Sequence, residues 1–368
     1  MIRQRYPLFC FLLAFFAFLL NIVTRQFPEQ LLTIYSNSIN RITIQWLSRF
    51  TGLFPFSLFE GLIYGGILSL MLYILISAYQ CLKDRRASLN ILKRLFLNIF
   101  SAVCLLYGTF ILLWGLNYNR PPLADVLQLE FTESNTDDLQ ALYRLLIERA
   151  NNARLEVLED ENDIFTTNQH FSEVFARAPL GYEAASVYIP ALEGNYGLPK
   201  ALLTSPIINY TFIVGIYSPF TGEANVNVAV PDSTLLFTIM HEMAHQRGIA
   251  REDEANFIAF LTSIMHPDAD FRYAGYLGAL NYTRGALRRT DPEVLPELNT
   301  LMSDAVFQDI VFVSEFWRDF RSPIEETFTQ MNNTYLRFNN VEEGVGSYGL
   351  VVDLLLAYYQ DELENYIK

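Results

Sequence analysis

Residues 241–257 read HEMAHQRGIAREDEANF. On a helix, His241 and His245 stand one turn apart, so both imidazoles project from one face and can bind a single Zn²⁺. A catalytic zinc keeps three protein ligands and one open position for water, whose pKa it lowers towards ~7. Glu242, next to the first histidine, would lie beside that water, where a carboxylate can take its proton during attack on a carbonyl and pass it to the leaving amine. The third ligand must then come from beyond Gly248, where Glu252 and Glu254 both offer an oxygen.

Two fixed histidines and one glutamate are a weak signal by themselves, and the neighbourhood strengthens it. Leu235, Leu236, Phe237, Ile239 and Met240 before the motif, with Met243 and Ala244 inside it, predict a helix buried in a core. Two histidines and a glutamate on such a helix are costly unless paired or metal-bound. Gly248 can end the helix in a left-handed turn and send the chain back against it. The following REDEANFIAFLTSIM reads as a second, acidic-ended helix, on which Glu252 and Asn256 share a face that Glu254 does not.

Other elements must frame this pair. SNTDDLQALYRLLIERANNARLEVL has Ser or Thr capping residues, acids in its first turn and leucines at helical spacing, the pattern of an amphipathic helix. IINYTFIVGIYSPFTGEANVNVAV carries β-branched and aromatic residues on both sides of SPFTGEA, which predicts a hairpin and a small antiparallel sheet. A Tyr-rich stretch from Phe271 to Arg289, the run FVSEFWRDF and the terminal VVDLLLAYYQDELENYI are helical in pattern. An α+β, mainly helical domain is expected over 125–368. His170 and His266 are isolated and read as surface or capping residues.

Ahead of that domain lie three apolar runs without a charge, Leu8–Val23, Gly61–Ala78 and Leu95–Leu116. A bilayer core of roughly 30 Å takes about 20 apolar residues, so residues 1–120 read as a multi-pass anchor with spanning helices near 8–24, 60–79 and 95–116. No small-residue cleavage site follows the first run, which makes it an uncleaved anchor. Lys83, Arg85, Arg86, Lys93 and Arg94 mark the loop between the second and third helices as cytoplasmic. The N-terminus is then cytoplasmic, and the loop from Arg25 to Glu60 and everything after Leu116 are extracytoplasmic. NYNRPPLAD forms the boundary, with Pro121 and Pro122 stopping the helix and Arg120 available to the interface.

Charge is split along the chain in the same way. Up to Ala124 there are 11 Lys and Arg against 3 Asp and Glu; of the 26 and 40 in the whole chain, 15 and 37 remain beyond it, a net charge of −22. So acidic a domain excludes a nucleic-acid partner, which needs clustered Lys and Arg against phosphate. Cys10, Cys81 and Cys104 all lie in or beside the apolar runs, so no disulfide holds the acidic part together.

HEMAH resembles the active-site helix of the zincin metallopeptidases, and EDEAN is similar to the E-x-x-A/S-D/N pattern of their glutamate-ligand members. That resemblance implies a zincin-like fold with His241, His245 and Glu252 as zinc ligands and Glu242 as general base. It also implies Asn256 supporting a metal histidine by a hydrogen bond, and substrate added as a strand along IINYTFIVGIY or EANVNVAV. An oxyanion donor is expected with it, for which Tyr273, Tyr276, Tyr282 and Arg251 are candidates. The third histidine of the metzincin pattern falls on Arg251, which cannot ligate zinc. Thermolysin-like enzymes separate the second histidine from the glutamate much more widely than the six residues here. Over most of its length, through the three apolar segments, WGLNYNRPPL, YSPFTGEANVN and HEMAHQRGIAREDEANF, the chain resembles the bacterial membrane family known as domain of unknown function 3810.

The expectation is a membrane-anchored zinc metallopeptidase acting on a peptide or protein substrate, or a related amide, at the outer membrane surface. The alternative is a non-catalytic membrane sensor or binding module with a structural or vestigial zinc. An intramembrane protease is set aside, because Arg247, Glu252, Asp253 and Glu254 crowd the motif and the apolar run before it is too short to span.

Overall fold

The three uncharged runs form the long helices α1 (Ile2–Thr24), α3 (Leu58–Lys83) and α4 (Ser88–Leu113) in a computed structural model that describes residues 2–131, 135–321, 330 and 350–367. All three are long and apolar enough to cross a membrane. Their outward side chains, from Phe9 and Phe16 to Leu62, Leu75 and Phe96, are exposed leucine, isoleucine and phenylalanine, a surface that suits lipid rather than water. Small residues bring α1 and α4 together, since a Cβ at Gly108 would stand 3.0 Å from Leu13 Cγ, and Cys10, Ala17 and Cys104 are buried. The three cysteines are free thiols, as expected of packing residues.

Between α1 and α3 the chain winds as a π-helix over Leu31–Asn40 and continues into α2 (Arg41–Thr51). Ile44, Ser48 and Thr51 form the buried face of α2 and pack under the rest of the molecule. After α4, residues Trp114 to Arg120 turn inward. Arg120 is not at an interface with solvent: it is 4% exposed, and its Nη1 donates to the carbonyl of Gly248 at 2.9 Å.

The amphipathic stretch forms α5 (Thr136–Arg154), capped by Asn135 rather than by Ser or Thr. The Asn135 side chain accepts from the Asp138 backbone N–H, and Asp138 accepts in return from the Asn135 N–H, a complete capping box. The sheet has three strands, β1 (Lys200–Ala201), β2 (Gly215–Ser218) and β3 (Glu223–Val226), in the order β1-β3-β2. The hairpin around SPFTGEA is present, with Gly215 opposite Val226 and Ser218 opposite Glu223. The sheet is mixed rather than antiparallel, because β1 runs parallel to β3 with Lys200 opposite Asn225. A parallel partner needs a crossover, and the chain between β1 and β3 supplies one that itself contains β2.

Both strands are also shorter than the apolar pattern suggests. Ser205–Ile208 is helical with Pro206 in its first turn, and the Asn227 side chain donates to Asn209 Oδ1 and to the Ile213 carbonyl, taking up bonds that a longer ladder would use.

Against β2 and β3 packs α6 (Asp232–Gln246), followed by α7 (Glu252–Ile264) and α8 (Ala269–Thr290). One core joins Leu142 and Tyr143 of α5 with Leu236, Ile239 and Met240 of α6, Phe257 and Phe260 of α7, and Phe271 and Leu280 of α8. Helices α9 (Asp304–Arg318) and α10 (Val351–Tyr358) complete it; the helical pattern expected between them falls largely outside the described residues.

Candidate metal centre

The first helix of the motif ends where Gly248 adopts φ +83°, with its N–H donating to the His245 carbonyl and that of Ile249 to Ala244. This left-handed cap reverses the chain, so that α7 starts beside the end of α6. The same turn swings the Ile249 carbonyl to His245 Nδ1 at 2.6 Å. A carbonyl can only accept, so Nδ1 carries a proton and Nε2 faces the centre. His241 is held likewise: its Nδ1 lies 2.8 Å from Asn256 Oδ1, one turn along α7 from Glu252.

Both Nε2 atoms face the Glu252 carboxylate, with Oε2 3.2 Å from His241 and 3.7 Å from His245. The donor atoms of His241, His245 and Glu252 all lie within 4.8 Å of one another. Tetrahedral ligands about 2.1 Å from a zinc ion stand roughly 3.4 Å apart, so this donor set and spacing fit such an ion. Glu254, the other carboxylate, faces away: its Oε1 accepts from the Leu123 N–H at 2.7 Å and from Arg251 at 3.1 Å, tying the two-proline boundary to α7.

Glu242 is 4% exposed, and its Oε2 has no hydrogen-bond partner among the described residues. Burial pushes its pKa up to about 7, against the pull of His241 and His245, while Glu252 pushes the same way and the Tyr217 N–H bonds the carboxylate. Burial pulls His245 down, but Glu252 and Glu242 outweigh it and raise the imidazole to about 9. Glu252 is raised by burial and lowered further by His245 and His241, ending well below the usual carboxylate range. His245 and Glu252 thus favour each other's charged form.

The wall is built from residues the motif does not announce. A Cβ on Gly215 would sit 2.4 Å from Glu242 Oε1, so only a glycine lets β2 lie this close. Tyr217 packs on Trp114 at 4.7 Å between ring centroids, and Trp114 meets the His245 ring edge-on at 5.7 Å. The buried Tyr217 hydroxyl has no hydrogen-bond partner among the described residues, and burial raises its pKa well above 10, which keeps it a neutral donor. Trp114 opens the quoted WGLNYNRPPL and Tyr217 lies in the hairpin, but neither has a spacing to the histidines that sequence could reveal.

The four candidate oxyanion donors make the following contacts. Tyr273 donates to Asp309 in the core, Tyr276 packs on Phe260, Tyr282 packs on Phe237, and Arg251 bonds Glu254 and the Arg120 carbonyl. Of the two candidate strands for substrate addition, β3 is paired on both sides, whereas β2 is at the sheet edge. His170 caps a short helix through the Ser172 N–H, and His266 accepts from the Asp268 N–H.

Residues 35–356 match the family described as protein of unknown function (DUF3810), and the chain belongs to that family. No curated protein and no solved structure matches it.

Proposed function

We propose that this member of a family with no assigned activity is a membrane-anchored zinc metallopeptidase, hydrolysing peptide or related amide bonds with Glu242 as general base. The reading rests on one observation: a buried carboxylate oxygen without a partner stands beside three converging donors of the types that catalytic zinc takes. His241, His245 and Glu252 would hold the ion, which when bound supplies Lewis acidity and lowers the pKa of water. Glu242, buried beside these donors with one carboxylate oxygen unpartnered among the described residues, is placed to take a proton from the attacking water and deliver it to the leaving nitrogen. Asn256 and the Ile249 carbonyl orient the two imidazoles through Nδ1. The outer edge of β2, where the Tyr217 N–H bonds Glu242, is where an extended peptide would add as a strand.

The proposed setting is a cell membrane, with three spanning helices, a cytoplasmic N-terminus and an extracytoplasmic site. What supports it is the basic cluster from Lys83 to Arg94, together with the packing of the loop before α3 onto the C-terminal part.

The test is metal content and peptide hydrolysis of the full chain in detergent or nanodiscs. Wild-type protein is expected to hold stoichiometric zinc; Glu252→Ala loses it, while Glu254→Ala and Glu242→Gln keep it, the latter without hydrolysis. Folded wild-type protein that takes up no zinc overturns the proposal and leaves a non-catalytic binding module.

A further inference from the structure

The linker between α1 and α3 presents an apolar face that is exposed among the described residues. Ile39, Ile42, Trp46, Phe50 and Leu53 follow one another at intervals of three and four residues, and Trp46, Phe50 and Leu53 are 67%, 61% and 77% exposed. Such spacing puts them in one stripe along α2 and its flanks. Ile34, Phe54 and Phe56 extend the apolar surface. The opposite face, Ile44, Ser48 and Thr51, is buried. Basic residues flank the stripe, with Arg25, Arg41 and Arg49 against Glu29 alone over residues 25–59, and the Arg49 guanidinium lies 4.5 Å from the Trp46 ring centre.

Such a helix, with tryptophan and phenylalanine on one face and arginines at the margin, suits the plane of a bilayer surface, where its apolar side sinks roughly 5–10 Å. Its ends support that occupant over a second protein copy, because the linker is continuous at Thr24 and Leu58 with helices apolar enough to span a membrane.

The buried face of the same helix touches the frame of the candidate metal centre. Backbone atoms of Ser48 lie so close to Gly197 and Gly222 that a Cβ on Gly197 would fall 2.2 Å from the Ser48 carbonyl oxygen. The carbonyls of Gly197 and Gly222 both accept from the side chain of Gln246, the residue after His245. From another side, Trp114, which directly follows α4, packs on His245. Two separate contacts therefore tie the centre to the membrane-facing elements, one through Gly197 and Gly222 to Gln246 and one through Trp114 to His245.

We infer that α2 and its flanks lie in the bilayer surface and hold the metal centre one helix layer above the lipid, so that the substrate class is the membrane-proximal stretch of a bilayer-anchored polypeptide. The substrate part rests on the hydrolase reading; the seating of α2 does not.

Both parts are tested with the full chain in vesicles of phosphatidylcholine and phosphatidylglycerol. Lipids brominated just below the headgroup should quench tryptophan emission more than lipids brominated near the chain ends, and Trp46→Phe should remove that excess. An excess unchanged in Trp46→Phe, or photocrosslinking from position 46 to a second copy instead of lipid, overturns the seating. For the substrate, one cleavable peptide is attached to the vesicle by a short tether, by a long tether, or left free. Zinc-loaded protein is expected to favour the short tether on the order of tenfold. The double variant Trp46→Glu, Phe50→Glu should keep its zinc and lose that preference. Equal rates on all three substrates overturn the substrate class, whereas no hydrolysis and no zinc uptake overturn the hydrolase reading while the quenching still decides the seating.

Discussion

Asn256 shows how much of the centre depends on a residue that would touch no metal. Its Oδ1 accepts from His241, while its Nδ2 is buried with no hydrogen-bond partner among the described residues, so the side chain serves the site as an acceptor. Asn256→Ala is expected to weaken zinc binding about 10–100-fold in a competition titration against a chelator, and Asn256→Asp, which keeps an acceptor, to restore most of it. Proton linkage is a second expectation at this scale. In the metal-free protein, His245 is raised from 6.5 to about 9, so its stabilising interaction is fully present below about 6.5 and lost as pH rises through 9. Glu252 is depressed, so its contribution is present above 4.5 and fades only as pH falls towards its lower folded value. Zinc must therefore displace a proton from His245 at neutral pH. Calorimetry in buffers of different ionisation enthalpy should show about one proton released per zinc at pH 7, declining above pH 9. Release that does not change with pH would refute the pairing of His245 with Glu252. The two histidines and Glu242 were legible in sequence from the helical period, while Glu252 and Asn256 were singled out by resemblance to the glutamate-ligand pattern, with Glu254 as the alternative.

At the scale of elements, β2 decides what Glu242 can do. With Gly215 against the carboxylate and the Tyr217 N–H bonded to it, the strand holds Glu242, the proposed base, in place. Gly215→Ala would force Glu242 or the strand to move by about an ångström. Zinc content is expected to be unchanged and kcat to fall on the order of 100-fold, as small displacements of a catalytic group can cause. Retained hydrolysis would mean that Glu242 is not the base. The hairpin containing Gly215 was readable from its β-branched flanks and the turn SPFTGEA. The parallel strand β1 was not, since two residues carry no period.

For the whole molecule, the linker before α3 and the acidic C-terminal part share their buried polar groups. Lys200 Nζ donates to Glu223 at 2.6 Å and also to the carbonyls of Thr51 and Phe56, and Glu223 accepts from the Leu58 and Phe59 N–H groups at the start of α3. Glu60 in turn accepts from the backbone of Leu203 and Thr204. A fragment beginning at Asp125 would keep the Lys200–Glu223 pair but lose its bonds to Thr51, Phe56, Leu58 and Phe59, the Glu60 bonds to Leu203 and Thr204, and the Arg120 bond to Gly248, each bond to a charged group contributing about 1.5–3 kcal/mol. Circular dichroism and size-exclusion chromatography should find that fragment aggregated or without a cooperative melt, while the full chain melts cooperatively. A monomeric, cooperatively folding fragment would show that the linker is dispensable.

Sequence by itself determined the three apolar helices and the motif helix with its glycine stop, because local period and turn chemistry govern each of them, whereas which of Glu252 and Glu254 faces the two histidines was left open until the structure turned Glu254 towards Leu123 and Arg251. Only the tertiary structure decided that β3 is central and β2 is the outer edge, that Trp114 and Tyr217 wall the centre, and that the linker carries it. Those are contacts between residues up to about a hundred or more positions apart, such as Trp114 with His245 and Thr51 with Lys200, and no local pattern records which distant surfaces meet when a core closes.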